Sequence, residues 1–194
     1  MSGFARHRRS GRIIATFTGF EADLLRSLAS QLVELLRNEA AVPRTSTDPL
    51  EDLLDFSGPT SEPDDPVLAR LFPTAYPQDE EAASEFRRFT EGSLRDGKAA
   101  GAIAIIDGLE EAGLPPELTE DGLMIDVELD PAQAETWMRS FTDLRLALAT
   151  RLEVEEGDEA YWHSLSDDDP RAQAHDIYEW VGYLQETLVE ALSG

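Results

Sequence analysis

The chain contains no cysteine and no long apolar run, and both absences exclude whole classes of protein. Without cysteine there are no disulfides, no thiolate nucleophiles and no cysteine-based metal sites. No uninterrupted apolar stretch approaches the roughly 18 residues that a membrane-spanning helix needs. The apolar residues 13–15 are too few for the core of a signal peptide. We therefore expect a cytoplasmic protein with no membrane contact.

Sulfur chemistry is limited to a few methionines, which can be oxidised to sulfoxides. Met124 and Met138 lie in the predicted core-forming segments, so we expect both side chains to be buried. Nothing in the composition supplies the thiolate chemistry that redox sensing usually uses.

Basic residues are scarce and unevenly placed. The chain has 16 lysines and arginines against 40 acids, a net charge of −24, yet residues 1–12 carry Arg6, Arg8, Arg9 and Arg12 and no acid. The rest of the chain therefore carries −28 and should repel nucleic acid. We expect residues 1–12 to form a flexible basic arm. This arm is either a weak contact for nucleic-acid phosphates or an untethered terminal tail.

Aspartate–proline pairs mark the predicted starts of helices. Aspartate accepts hydrogen bonds from the free amides of a first turn, and proline fits the next position because its missing N–H would be unpaired there. The four pairs are Asp48–Pro49, Asp65–Pro66, Asp130–Pro131 and Asp169–Pro170.

Apolar residues recur at three- and four-residue steps over most of the chain, which is typical of amphipathic helices. In the longest segment the pattern places Phe86, Phe89 and Leu94 on one apolar face, and its glycines predict a kink near 96–101. The predicted helices cover 20–38, 49–56, 66–72, 79–111, 131–152 and 170–192.

Two short segments, 12–17 and 122–129, are predicted to be strands that pair with each other. Two strands alone are marginally stable and need helical cover. The predicted fold is therefore mainly α, a helical bundle of about five to six helices with a small two-stranded β element. Residues 13–194 should form a single helical domain with a loop-rich segment at 41–64.

No pattern of residues indicates catalysis. The glycines and lysine of 92–98 match the spacing of a phosphate-binding loop, but Ala99 replaces the required Ser or Thr and the segment is helical. His163 lies near several aspartates without the ligand spacing of a metal site. We therefore expect no enzyme, no metal and no cofactor.

Aromatic residues near the C-terminal end are candidates for partner contacts. The acidic loop predicted at 153–169 holds Trp162, which we expect to be exposed and available to a protein partner. Trp180 flanks the apolar face of the last helix, where core packing and an interface are both consistent with the pattern.

Several blocks of the sequence, in this order, resemble one family. They are 21–36, 65–76, 85–91, 143–145, 150–152, 169–170 and 180–188. The chain is similar in these blocks to the actinobacterial AosR-like family, a domain-of-unknown-function family linked to transcriptional control of oxidative-stress responses. If relatives sense oxidation through paired cysteines, this chain cannot do so.

The resemblance implies a regulatory interaction protein that acts in transcription. We expect such a protein to bind a sigma factor or RNA polymerase through its acidic surface. Two alternatives stay open, an accessory protein of a Clp-type proteolysis pathway and a structural homodimer. The family motif falls on Asp143, Arg145, Arg151 and Trp180, for which we expect structural roles.

Arg145 lies at the edge of an apolar helix face. We expect it to pair with a carboxylate of a neighbouring helix, because arginine suits partly buried bidentate pairs. The alternative is a stem that covers the core while the guanidinium reaches water. If the residue is structural, Arg145→Leu should lower the melting temperature without abolishing partner binding.

Overall fold

The computed structural model describes residues 3–38, 59–118 and 122–194. These residues contain six helices and three short strands. In chain order they are β1 (Ala5–Arg6), β2 (Ile13–Thr18), α1 (Gly19–Asn38), α2 (Pro66–Leu71), α3 (Glu80–Glu111), β3 (Met124–Leu129), α4 (Pro131–Leu152), α5 (Glu159–Trp162) and α6 (Pro170–Ser193). The predicted helical fold with a small β element is confirmed. The helix predicted at 49–56 lies outside the described residues. Within them, no helix is long and apolar enough to cross a membrane.

Three of the aspartate–proline pairs begin helices as predicted. The side chain of Asp65 accepts hydrogen bonds from the first amides of α2, and Asp169 does the same for α6. Asp130 and Gln133 form a reciprocal capping box at the start of α4. In each case the proline occupies the first turn, where no amide hydrogen is needed.

The sheet has the order β1-β2-β3, with all strands antiparallel. In the β2–β3 pair Ile13 lies opposite Leu129 and Thr18 opposite Met124, so alternate side chains face the helices. Met124 falls on the outer face with Asp126 and is 52% exposed. Our expectation that Met124 is buried is therefore wrong, because strand alternation determines its side.

The third strand, β1, was not predicted, and it joins the N-terminal residues to the fold. Phe4 is buried, with its ring 5.9 Å from that of Phe17 and 6.1 Å from that of Trp137. Its amide donates a hydrogen bond to the Thr187 hydroxyl over 3.1 Å. A free arm over 1–12 is therefore wrong for residues 4–6, because a single buried phenylalanine leaves no periodic signal in a sequence.

Glycines of α3 allow it to pack closely on α4. A Cβ atom added at Gly108 would lie 2.7 Å from the Trp137 ring, and one at Gly101 would lie 2.5 Å from the Ser140 hydroxyl. Helix α3 continues without a break through residues 96–101. Gly101 therefore serves helix packing at a position where we expected a kink.

The first half of α3 faces the opposite way from our prediction. The buried positions there are charged, and the large apolar ones are exposed. Those buried are Arg87, Glu91 and Arg95, while Phe86, Phe89 and Leu94 are 43%, 60% and 48% exposed.

The buried charges form one hydrogen-bonded cluster. Glu91 is 2% exposed and receives Arg87 Nη1 and Arg95 Nη2, each at 2.7 Å. The arginines also donate to backbone carbonyls, Arg87 to Phe72 and Arg95 to Leu36. These carbonyls lie at the ends of α2 and α1, where a helix leaves acceptors unpaired. This cluster of buried charges therefore joins α1, α2 and α3.

Candidate interaction surface

The residues between β1 and β2 form an ordered turn at the end of the hairpin. The His7 amide donates to the Arg12 carbonyl over 2.8 Å, and the Gly11 amide donates to the His7 carbonyl over 2.9 Å. Gly11 adopts a positive φ of 70°, which glycine tolerates without strain. The His7 ring nitrogen Nδ1 and the Ser10 hydroxyl lie 2.8 Å apart. We call residues 6–12 the basic loop.

All four predicted arginines of the N-terminal segment are exposed in this basic loop. Arg12 pairs with Glu128 of β3 over 2.7 Å. Arg6, Arg8 and Arg9 have no ion-pair partner among the described residues. The hairpin therefore presents three available guanidinium groups, which suit phosphate or carboxylate oxygens.

Trp162 is not the exposed aromatic that we expected. A short helix, α5, forms inside the predicted acidic loop and buries its ring, which stacks on His175 with a centroid distance of 4.4 Å. The neighbouring Tyr161 is 43% exposed. A partner contact through Trp162 stays a prediction, but the ring is buried and does not offer an exposed face to a partner.

Two residues of the family motif connect α4 to other helices through ion pairs. Asp143 is buried and accepts from Lys98 of α3 over 2.6 Å. Lys98 is the lysine of the apparent phosphate-binding spacing, and it lies inside a helix as expected. Arg151 pairs with Asp65, the capping residue of α2, over 2.7 Å.

The pKa of Asp65 lies below its usual value. Burial acts to raise the pKa of this carboxyl. Hydrogen bonds from Arg151 and from the Val67 and Leu68 amides lower the pKa, and their combined effect is larger than that of burial. The carboxylate therefore stays charged while it caps α2 and binds α4.

Arg145 finds an amide partner where we expected a carboxylate. Its Nη1 donates to Gln185 Oε1 over 3.1 Å, and its guanidinium carbon lies 5.3 Å from the Tyr178 ring centre. A Cβ at Gly182 would be 3.2 Å from Arg145 Nε, so the glycine makes room for the side chain. Among the described residues Arg145 forms no ion pair, so the expected carboxylate partner is not found there. The effect of Arg145→Leu stays a prediction.

Trp180 is partly buried and packs against the core from α6. Its indole N–H is buried and has no hydrogen-bond partner in the part of the chain that the structure describes. This position favours the core alternative over a fully exposed interface anchor.

An exposed apolar surface that the sequence did not indicate covers the first half of α3. We call Tyr76, Phe86, Phe89 and Leu94 the apolar stripe. The Tyr76 and Phe86 rings meet edge to face at 5.8 Å, and the Arg88 guanidinium lies 4.7 Å from the Phe89 ring centre. A groove of about 590 Å³ between α3 and α4 begins at Leu94. The spacing of these residues matches that of a core face, which is why sequence periodicity assigned them inward.

Comparisons with known proteins show which family the chain belongs to. The signature of the family described as "Domain of unknown function (DUF2017)" matches residues 1–192. The chain is 29% identical to "Oxidative stress regulator AosR" of Mycobacterium tuberculosis (strain ATCC 25618 / H37Rv), covering 96% of this chain and 85% of that protein. It is 32% identical to "Putative oxidative stress regulator AosR" of Mycobacterium leprae (strain TN), covering 89% and 78%. No solved structure matches. The match over almost the whole length confirms the predicted resemblance, and the chain belongs to the DUF2017 family.

Proposed function

We propose that this chain is a non-enzymatic regulatory protein that acts on transcription by contacting a sigma factor or RNA polymerase. The observation that carries the proposal is the similarity, over 96% of the chain, to proteins named as oxidative stress regulators. A regulatory role follows from that similarity, and the partner is our further step.

The distribution of charge supports a partner of this kind. Proteins that bind nucleic acid present basic surfaces. The acidic body of this chain is complementary in charge to such a surface, and complementary potentials steer association and select partners. A transcription protein therefore fits the acidic body better than a nucleic acid does.

The apolar stripe supports a direct protein contact. Phe89 is 60% exposed in the first half of α3, and the exposed side chains of Phe86 and Leu94 lie within two helical turns of it. Contiguous exposed apolar side chains commonly mark protein–protein interfaces. Phenylalanine side chains also supply the large apolar area that interface cores require.

A pull-down from a nuclease-treated lysate of the native host tests the proposal. The tagged chain should recover RNA polymerase subunits or a sigma factor, identified by mass spectrometry. Phe89→Asp should lose them. Phe20→Asp is the matched control, because Phe20 is 73% exposed and lies at the N-terminal end of α1. The C-terminal end of α1 is the one that contacts the first half of α3, where the apolar stripe lies. Recovery of Clp components alone, or of the chain itself alone, would overturn the proposal.

In the same proposal the basic loop adds a weak contact to DNA phosphates near the partner. Replacing Arg6, Arg8 and Arg9 with alanine should reduce salt-sensitive retention on DNA. Each lost phosphate contact lowers the slope of log affinity against log salt by about 0.9.

The matched control for the loop variant has three arginine-to-alanine changes elsewhere on the surface. The positions are Arg37, Arg70 and Arg139, which are also exposed. The control changes the net charge equally and should retain DNA like the parent. Equal losses in both variants would show that net charge, and not the basic loop, governs retention.

A further inference from the structure

The outer edge of β3 has no strand beside it in the described part of the chain. β3 is the last strand in the order β1-β2-β3, and its pairing with β2 runs without a bulge from 124 to 129. Natural edge strands are commonly protected by shortness, lysine, proline or a bulge, which prevent another strand from pairing with them. β3 is six residues long and its only protection of this kind is the charge of two carboxylates, Asp126 and Glu128.

The ladder between β2 and β3 determines which backbone groups of β3 point to that edge. The Gly19 amide donates to the Leu123 carbonyl over 2.7 Å, at the position that continues the β2–β3 register. Because hydrogen-bonded pairs alternate along an antiparallel ladder, the inward-facing residues of β3 are the ones that bond to β2. The N–H and C=O groups of Met124, Asp126 and Glu128 therefore point away from β2, and no described residue bonds to them. Donors and acceptors at this two-residue spacing match the backbone of another extended chain.

The outer face of β3 favours basic side chains in such a chain. Residues directly opposite each other on neighbouring strands share a face, so a side chain opposite Asp126 or Glu128 lies beside its carboxylate. Asp126 accepts a hydrogen bond from Thr16 Oγ1 over 2.7 Å and has no cationic partner among the described residues. Glu128 pairs with Arg12, but its side chain stays 57% exposed. An arginine or lysine at either place therefore gains a carboxylate, whereas an acidic residue is repelled.

The same two carboxylates oppose pairing with a second copy of the chain. Two antiparallel registers would bond the open edges of two β3 strands over most of their length. One register places Asp126 opposite Asp126 of the second copy, and the other places Asp126 opposite Glu128 of the second copy. Like charges directly opposite each other destabilise a sheet. The edge thus selects a basic segment over β3 itself.

We infer that β3 binds an extended basic segment of a protein partner, which adds a fourth strand to the sheet. The segment bonds its backbone to the open edge of β3 and places arginine or lysine at alternate positions, beside the carboxylates. Its intervening side chains point to the helix-covered face of the sheet, where Ile125 and Val127 are buried, so apolar residues suit these positions. The inference goes beyond the proposed function and does not rest on it, because any partner with such a segment satisfies it.

Amide hydrogen exchange of the full chain, followed residue by residue by NMR, tests the inference with a synthetic peptide. The probe is the hexapeptide Arg-Val-Arg-Val-Arg-Val, acetylated and amidated at its ends. Exchange at Met124, Asp126 and Glu128 should slow about tenfold when about 90% of the chain is bound, because only the free fraction then exchanges. The Ile125 and Val127 amides, already bonded to β2, are the internal reference and should change less. No slowing at the three edge amides with the peptide in large excess would overturn the inference.

Two N-methylated peptides separate strand addition from simple attraction of charge. In the expected register the arginines lie opposite Asp126 and Glu128, so their N–H groups face β3 while those of the valines face away. Methyl groups on the arginine nitrogens should abolish the slower exchange, and methyl groups on the valine nitrogens should preserve it. Both peptides carry the same charge and composition. Equal effects of the two peptides would show attraction of charge without strand pairing, and the inference would be wrong.

A double variant and an acidic peptide test the choice of charge. Asp126→Asn with Glu128→Gln keeps the open edge and should weaken binding of the basic peptide about fivefold, the order expected for two cross-strand charge pairs. Asp107→Asn with Glu135→Gln changes the same residue types at other exposed positions and should leave binding unchanged. The peptide Glu-Val-Glu-Val-Glu-Val should not bind. Equal weakening in both variants, or equally tight binding of the acidic peptide, would overturn the assignment of a basic partner.

The outcome is separable from that of the pull-down, which reports on Phe89 in the apolar stripe. If exchange at the β3 edge slows while no transcription protein is recovered, the strand site is established and the proposed function fails. If transcription proteins are recovered while exchange at the edge is unchanged, the strand site fails alone.

Discussion

Helix α3 buries arginine and glutamate before Gly97, whereas after it the helix buries alanine, isoleucine and leucine in the usual way. Arg87 and Glu91 represent the first half, and Ile105 and Leu109 represent the second. The two halves have comparable length and continue as one helix. The difference therefore comes from what each half packs against.

The second half packs against α1 and α4, while the first half meets the C-terminal ends of α1 and α2. Free carbonyls at such ends carry partial negative charge and lack donors. Arginine supplies both needs, as Arg95 does for Leu36 and Arg87 for Phe72. With its buried side occupied by charge, this half leaves phenylalanines free on its outer side. A helix face is thus assigned by its neighbours as much as by its own pattern.

The largest expected effect is the loss of Glu91. Glu91→Ala removes the buried carboxylate that Arg87 and Arg95 share, and breaking a buried ion pair in this way costs about 3–5 kcal/mol. Urea denaturation at neutral pH measures the change in the free energy of unfolding. Glu85→Ala, an exposed position on the same helix, is the control and should stay within about 0.5 kcal/mol of the parent.

A triple variant sharpens that result. Replacing Arg87 and Arg95 with methionine and Glu91 with leucine removes all the charges together. Because well-packed apolar side chains can replace a buried charged cluster at little cost, the triple variant should lose less stability than Glu91→Ala alone. A larger loss in the triple variant would show that the donors to the Leu36 and Phe72 carbonyls matter more than the charge balance.

The second half of α3 responds to volume instead of charge. Gly108→Ala puts a methyl group 2.7 Å from the Trp137 ring, and overpacking of this kind costs about 1–3 kcal/mol. Gly97→Ala meets no atom within 4 Å and should stabilise by about 0.5–1 kcal/mol, because alanine favours helix. Thermal unfolding of the two variants should therefore shift in opposite directions. A gain of stability in both would mean that Trp137 moves aside freely.

The sequence was sufficient to predict those elements whose structure depends on residues close together in the chain. The bounds of α4 were predicted to the residue, because Asp130 and Pro131 mark its start and apolar periodicity continues to its end. The alternation of β3 likewise revealed its pairing with β2. Such elements depend on neighbours in the chain, which a single sequence displays.

The sequence was insufficient to predict features that depend on contacts between residues far apart in the chain. The burial of Phe4 and the formation of α5 around Trp162 depend on contacts with α4 and α6 that no local pattern records. The candidate interaction surface could also be predicted only in part. The arginines of the basic loop are exposed, and their contact with a partner stays a prediction. The apolar stripe arises only when α3 packs against the other helices.

The start of α2 tests how that helix supports the charged half of α3. Asp65→Ala removes the cap of α2 and the partner of Arg151, and loss of a cap costs about 0.5–2 kcal/mol. The pKa of Asp65 is lowered in the folded chain, so its contribution is present above its ordinary value of 3.8 and is lost as pH falls below it.

Thermal unfolding of the parent and of Asp65→Ala from pH 7 to pH 2.5 checks this sign. The gap between the two melting temperatures should narrow as the pH falls below 3.8 and approaches the lowered pKa of the Asp65 carboxyl in the folded parent. A gap that stays constant with pH would mean that the charge of Asp65 contributes nothing.

The smallest expected effect on stability is at Phe89, in the charged half. Because its ring is 60% exposed, Phe89→Ser should change the free energy of unfolding by no more than about 0.5 kcal/mol. Ile105→Ser, in the apolar half, removes a fully buried side chain and should cost several times more. Urea denaturation compares the two. If Phe89→Ser is as costly as Ile105→Ser, the phenylalanine is a core residue and both the apolar stripe and the inversion of α3 are wrong; if it is nearly neutral, the side chain is free for a partner.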